Sequence, residues 1–127
     1  MTISDTKAPA RVARFADLEF VPRFAYGEMA QLAPVAGAEQ GTELGAGLVR
    51  MTGARIPWQV RYDEVLIVLE GRLAVQIGDQ RLEAGPKDSL WLPAGTELVY
   101  EADEALVAYA IHPVNWAERE AAGDSEQ

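Results

Sequence analysis

Asp63 and Glu64 stand at the head of Val65-Leu-Ile-Val-Leu69, a run of five apolar residues closed by Gly71. So short a run, rich in β-branched types, does not make a helix; it fits a strand buried on both sides. An acid at the mouth of such a strand needs a reason, because an ionised carboxylate removed from water is costly unless paired. Side chains alternate along a strand, so Glu64 and Asp63 leave it in opposite directions. If Glu64 turns inward, burial disfavours its charged form and suits it to acid-base work, or to anchoring a ligand such as a small amine. The competing reading is a structural carboxylate paired with Arg50 or Arg61, or bonded to a tyrosine hydroxyl. Asp63 then caps a turn or pairs at the surface. Tyr62 and Tyr109 are the phenols placed to assist Glu64, unless each only satisfies a hydrogen bond of its own.

The elements around this acid read as short strands. Arg11 to Leu32 carries apolar residues spaced for edge strands, interrupted by Pro22, and Ala33 to Gly41 is loop-like in composition. Leu44 to Met51 is the next strand. The stretch from Trp58 to Gly71 reads as one central strand that enters polar and turns apolar. Leu73, Val75 and Ile77 alternate up to a Gly78-Asp79 turn, Gly85 to Asp88 is a second turn, and Ser89 to Pro93, Leu98 to Tyr100 and Ala105 to Ile111 complete the set. Many short strands between Gly, Pro and Asp turns, with no long segment of helical period, predict an all-β barrel. Residues 1–10 are expected to be a disordered N-terminus, 11–116 the single domain, and 117–127 an acidic disordered tail.

Composition narrows the chemistry. The 127 residues, 49% hydrophobic, suffice for one ordinary core. Twenty acids against eleven bases give a formal charge of −9, which opposes nucleic acid and anionic membrane as partners. With no cysteine and His112 as sole histidine, neither a thiolate site nor an imidazole cage can form, so no metal or other cofactor is expected. No stretch approaches the ~20 apolar residues of a membrane span and no signal peptide is evident, so a cytoplasmic protein is expected.

The spacing of Glu64, Gly71 and Pro93-Ala94-Gly95 resembles the two motifs of the cupin superfamily, which implies a double-stranded β-helix, or jelly-roll, barrel. At the places of the usual cupin histidines stand Trp58, Val60 and Leu98. The blocks Ile56-Pro57-Trp58, Tyr62-Asp63-Glu64, Val68-Leu69-Glu70-Gly71, Leu92-Pro93-Ala94-Gly95 and Pro113-Val114-Asn115-Trp116 are similar, in order and spacing, to the C-terminal cupin domain of the EutQ ethanolamine-utilisation family, which also lacks those histidines. The resemblance implies that Trp58, Val60 and Leu98 line a cavity beside Glu64, and strand alternation adds Tyr100 and Tyr109. Trp58 either stacks on a ligand or plugs the space a metal takes elsewhere. Lys87, at the second motif's turn, reads as a solvated loop residue. Cupin edge strands often cross to a second subunit, which implies a homodimer through the N-terminal strands.

The family is associated with ethanolamine catabolism, with bacterial microcompartments and with acetate kinase activity, and its members carry an N-terminal region that this chain is too short to contain. The first expectation is a metal-free cupin binding a small polar or amine-bearing metabolite. The alternatives are an enzyme using Glu64 for acid-base or acetate-kinase-type phosphoryl transfer, and a structural dimer whose barrel is filled by side chains. No Gly-x-x-x-x-Gly-Lys-Ser/Thr loop is present to cradle phosphates.

Overall fold

The computed structural model describes residues 7–22 and 26–125, with side chains described to residue 121. The described chain runs β1 (Val21–Pro22), β2 (Ala30–Ala36), β3 (Gly45–Gln59), β4 (Asp63–Gly71), β5 (Leu73–Ile77), β6 (Gln80–Ala84), β7 (Ser89–Leu92), β8 (Glu97–His112) and α1 (Trp116–Ser125), with single 3₁₀ turns at Phe15–Asp17 and Ala38–Gln40. All strand pairs are antiparallel, in the order β1-β2-β3-β8-β4-β7, while β5 pairs with both β8 and β6. This is the all-β barrel expected from the turn chemistry.

The long strand β8 holds the fold together because both its edges are paired. One edge meets β3 from Gly45↔Ile111 to Gln59↔Glu97. The other meets β4 over Ala105–His112 and β5 over Glu101–Val99. In both long strands the inward phase slips once. Val49 and Met51 face the core before the slip in β3, and Ala54 and Ile56 after it. In β8, Leu98, Tyr100 and Ala102 face in, then Ala105 and Val107, with Asp103 and Glu104 both exposed between them. Gly53, with φ at +53°, sits at the bend, a backbone conformation that disfavours any residue with a Cβ. The slip lets one pair of strands serve both halves of the barrel. Inside lie the fully buried Val60, Leu66, Val68, Leu73, Val75, Leu92 and Val107.

Several expectations are corrected. The stretch from Trp58 to Gly71 is two strands, since β3 ends at Gln59 and β4 begins at Asp63. Between them Val60 bonds to the loop before β8, its N–H donating to Thr96 O and its carbonyl accepting from Gly95 N. The segment read as a loop from Ala33 is strand through Ala36, and the two strands read at Leu98–Tyr100 and Ala105–Ile111 are the single β8. β4 is buried on one side only, with Val65, Ile67 and Leu69 exposed. The acidic tail is helical through Ser125; Trp116 anchors it against Trp58 and Tyr62, and Arg61–Glu120 and Arg119–Glu43 pairs flank it. Of the segment expected to be disordered, residues 1–6 lie outside the described residues, and Ala8 N donates to Gln40 O. β1 pairs with β2 of its own chain, Val21 opposite Leu32.

Candidate functional site: an acid among tyrosines

Glu64 is the first inward residue of β4, so strand alternation delivers its carboxyl into the barrel, where it is 7% exposed. It is the buried charged side chain of the described core. Tyr100, on β8, donates its hydroxyl to Glu64 Oε1 at 2.6 Å. That is a short bond for a hydroxyl donating to oxygen, and it ties β8 to β4 inside the barrel.

The two groups open on a cavity of about 60 Å³ lined by Tyr62, Tyr109, Leu32, Met51, Ile56 and Ile111, with small and aliphatic residues completing the wall. A water molecule takes about 30 Å³ in the liquid. The space therefore suits a molecule of a few non-hydrogen atoms. Tyr109 reaches it because its cross-strand neighbour on β3 is Gly47: a Cβ there would stand 2.9 Å from the Tyr109 hydroxyl and 2.5 Å from Ala33 O. Glu64, Tyr100 and the two flanking tyrosines thus form one polar cluster in an otherwise apolar chamber, and neither lysine nor arginine lines it.

The structure brings together four of the residues singled out by sequence, namely Tyr62, Glu64, Tyr100 and Tyr109. Trp58, Val60 and Leu98 do not line this cavity. Trp58, at the end of β3, sits half-buried against Trp116, their ring centres 5.8 Å apart. Val60 and Leu98 are buried core residues. Trp58 and Leu98 instead border a separate outer groove with Gln59 and Gln76. The aliphatic lining was missed because such residues look like any core; rephasing β3 at Gly53 is the signal that would have put Met51 and Ile56 on one wall.

Asp63 points away, as alternation requires, and its Oδ1 accepts Ala94 N at 3.0 Å, which fastens the Pro93–Gly95 turn. His112 is exposed, 3.6 Å from Glu43. Lys87 is exposed in its turn, its backbone N–H donating to Val68 O. Among the described residues no three His, Cys, Asp or Glu side chains are grouped to hold a metal ion, and no helix is long and apolar enough to cross a membrane.

Comparison with known proteins accords with this architecture. A crystal structure of a putative ethanolamine utilization protein Q from Salmonella typhimurium LT2 superposes with a TM-score of 0.76 at 24% identity, covering 82% of this chain and 86% of that one. An RmlC-like cupin from Shewanella frigidimarina superposes at 0.67 with 16% identity over 83% and 92% of the two chains. The fold is that of a cupin. Among curated proteins, the chain is 28% identical over 80 residues to a protein named acetate kinase EutQ from Clostridioides difficile, covering 62% of this chain and 51% of that one. It is 30% identical over 79 residues to the Escherichia coli protein of the same name, covering 61% and 34%. The chain thus aligns with about half or a third of the length of these relatives. Residues 28–118 match the family model described as ethanolamine utilisation protein EutQ, and the chain belongs to that family.

Proposed function

We propose that the chain is a binding module of ethanolamine-type metabolism that takes a small amine-bearing or polar metabolite into the cavity, with Glu64 as the anchor. The observation that carries this reading is the Tyr100–Glu64 hydrogen bond at the wall of a chamber of about 60 Å³. A carboxylate surrounded by tyrosine rings offers an ammonium group both an opposite charge and aromatic faces, and each interaction strengthens where water is excluded. Tyr62 and Tyr109 supply the remaining polar atoms for a hydroxyl on the same ligand. The bound species is small: sites for drug-sized ligands span about 300–1,000 Å³, so a nucleotide has no room beside Glu64.

The relatives named acetate kinase suggest a different use of the same acid. Phosphoryl transfer stabilises negative charge with positioned cations, and the cavity lining supplies none. Acetate would also bring a second negative charge against Glu64. Binding of a cationic or polar metabolite is therefore the reading that the geometry favours, in a cytoplasmic setting.

Thermal shift tests it with ethanolamine, acetate and Mg-ATP on the full chain, on Glu64→Gln and on Asp63→Asn. The expected result is stabilisation by the amine alone, lost in Glu64→Gln and kept in Asp63→Asn. Acetate-dependent ATP turnover that disappears in Glu64→Gln would overturn it in favour of the enzyme.

A further inference from the structure

A second cavity lies on the other half of the barrel and does not involve Glu64. It is built on one row of cross-strand neighbours: Arg55 of β3 stands opposite Glu101 of β8, Glu101 opposite Ala74 of β5, and Ala74 opposite Glu83 of β6. Leu73 and Val75 point into the core, so alternation turns Ala74 outward, and the rest of its row with it. Ala74 is the short side chain in a row of long ones. Above it lies a depression of about 330 Å³, to which Arg72, Arg81 and Asp103 add walls.

Three of the chain's eleven bases meet here, in a chain of net charge −9. Three acids line the same space, so the lining is neutral overall, yet these charges are not all spent on one another. Arg81 is locked in place: its Nε donates to Glu83 Oε2 at 2.9 Å and its Nη1 to Glu101 Oε1 at 3.0 Å. Arg72 comes only within 3.9 Å of Glu83, and its side chain is 69% exposed. Among the described residues neither Arg55 nor Asp103 has an ion-pair partner. Arg81 and its two carboxylates thus form a fixed base, and the depression keeps two guanidiniums and one carboxylate in reserve. Stability does not call for the cluster, because exposed ion pairs contribute little.

We propose that this depression is a second ligand site, for a small zwitterion of the amino-acid type that carries one carboxylate and one ammonium group. Arg55 and Arg72 take the carboxylate, which the guanidinium fork matches in shape, and Asp103 takes the ammonium. The mixed lining selects for mixed charge. A lone anion meets three carboxylates and a lone cation three guanidiniums, so only a ligand with both signs is complementary throughout. At about 30 Å³ for each water in the liquid the depression has room for roughly ten, which is ample for such a ligand. The Glu64 cavity has no base on its wall to receive a carboxylate. The two sites therefore sort ligands by charge, and the second stands whatever occupies the first.

Nuclear magnetic resonance titration of the isotope-labelled full chain tests the proposal, with glycine, β-alanine and 4-aminobutanoate as zwitterions of rising charge separation, acetate as the anion and ethanolamine as the cation. The expected result is that a zwitterion shifts the amides of Ala74, Glu101 and Asp103, in the wild type and equally in Glu64→Gln. Arg55→Gln and Asp103→Asn, both at exposed positions, each weaken that binding about threefold to tenfold, and added salt weakens it further. Acetate and ethanolamine move the same amides only at concentrations about tenfold higher. No shift at these amides with any of the three zwitterions overturns the proposal, as does unchanged affinity in Arg55→Gln. Acetate binding as tightly as the zwitterions, or unchanged affinity in Asp103→Asn, makes the depression a plain anion site and overturns the assignment of a zwitterion.

Discussion

The two faces of β4 carry nearly the same residues and do different things. Inward stand Glu64, Leu66 and Val68; outward stand Val65, Ile67 and Leu69. The inner aliphatics are sealed in the core, and at their head the one acid meets a tyrosine hydroxyl. The outer aliphatics touch solvent in the single chain and have no acid among them. Hydrophobicity therefore does not by itself say which face is the core: the inner face is closed by the chain's own barrel, and the outer one is left to solvent in the single chain. The same division separates the adjacent acids, Glu64 facing the cavity and Asp63 holding the turn before β8.

The comparison breaks most visibly at Leu66. Leu66→Ala strips a buried side chain from the wall of the cavity, enlarging it, and is expected to destabilise by about 2–5 kcal/mol, measured by urea unfolding. Tyr100→Phe removes a hydroxyl bonded to a buried carboxylate, and its expected cost is about 1.5–3 kcal/mol, read from the same curves. Asp63→Ala, which frees Ala94 N at a partly exposed turn, is expected to cost about 1 kcal/mol. Ile67→Ala, on the outer face next to Leu66, is expected to fall within about 0.5 kcal/mol. If Ile67→Ala matched Leu66→Ala there, the two faces would not differ as described.

Much of the fold was legible because turn chemistry marks it. Gly78-Asp79 and Gly85 to Asp88 fall between strands as expected, and the cupin spacing of Glu64, Gly71 and Pro93 to Gly95 was sufficient to identify the barrel. The break between β3 and β4 was not legible, since Val60-Arg61-Tyr62 contains neither glycine nor proline. The resemblance put Trp58 and Val60 beside Glu64; they share its inward parity, but the turn at Val60–Tyr62 carries them along the barrel, away from the cavity. The slip in β3 and β8 was hidden for a related reason, because apolar residues on both sides of Asp103-Glu104 disguise a change of parity. Glu64 itself was legible, being an acid where the pattern demanded a hydrophobe. Its partner among the tyrosines needed the register of β8, which the slip conceals.

The account turns on Glu64 as the anchor of a small ligand. Isothermal titration of ethanolamine into the wild-type chain and into Glu64→Gln tests this most directly. Loss of a charge-assisted hydrogen bond is expected to weaken binding about tenfold to a hundredfold, with the folded state intact by circular dichroism. Equal affinity in the two proteins, or no heat from the amine with either, would contradict it.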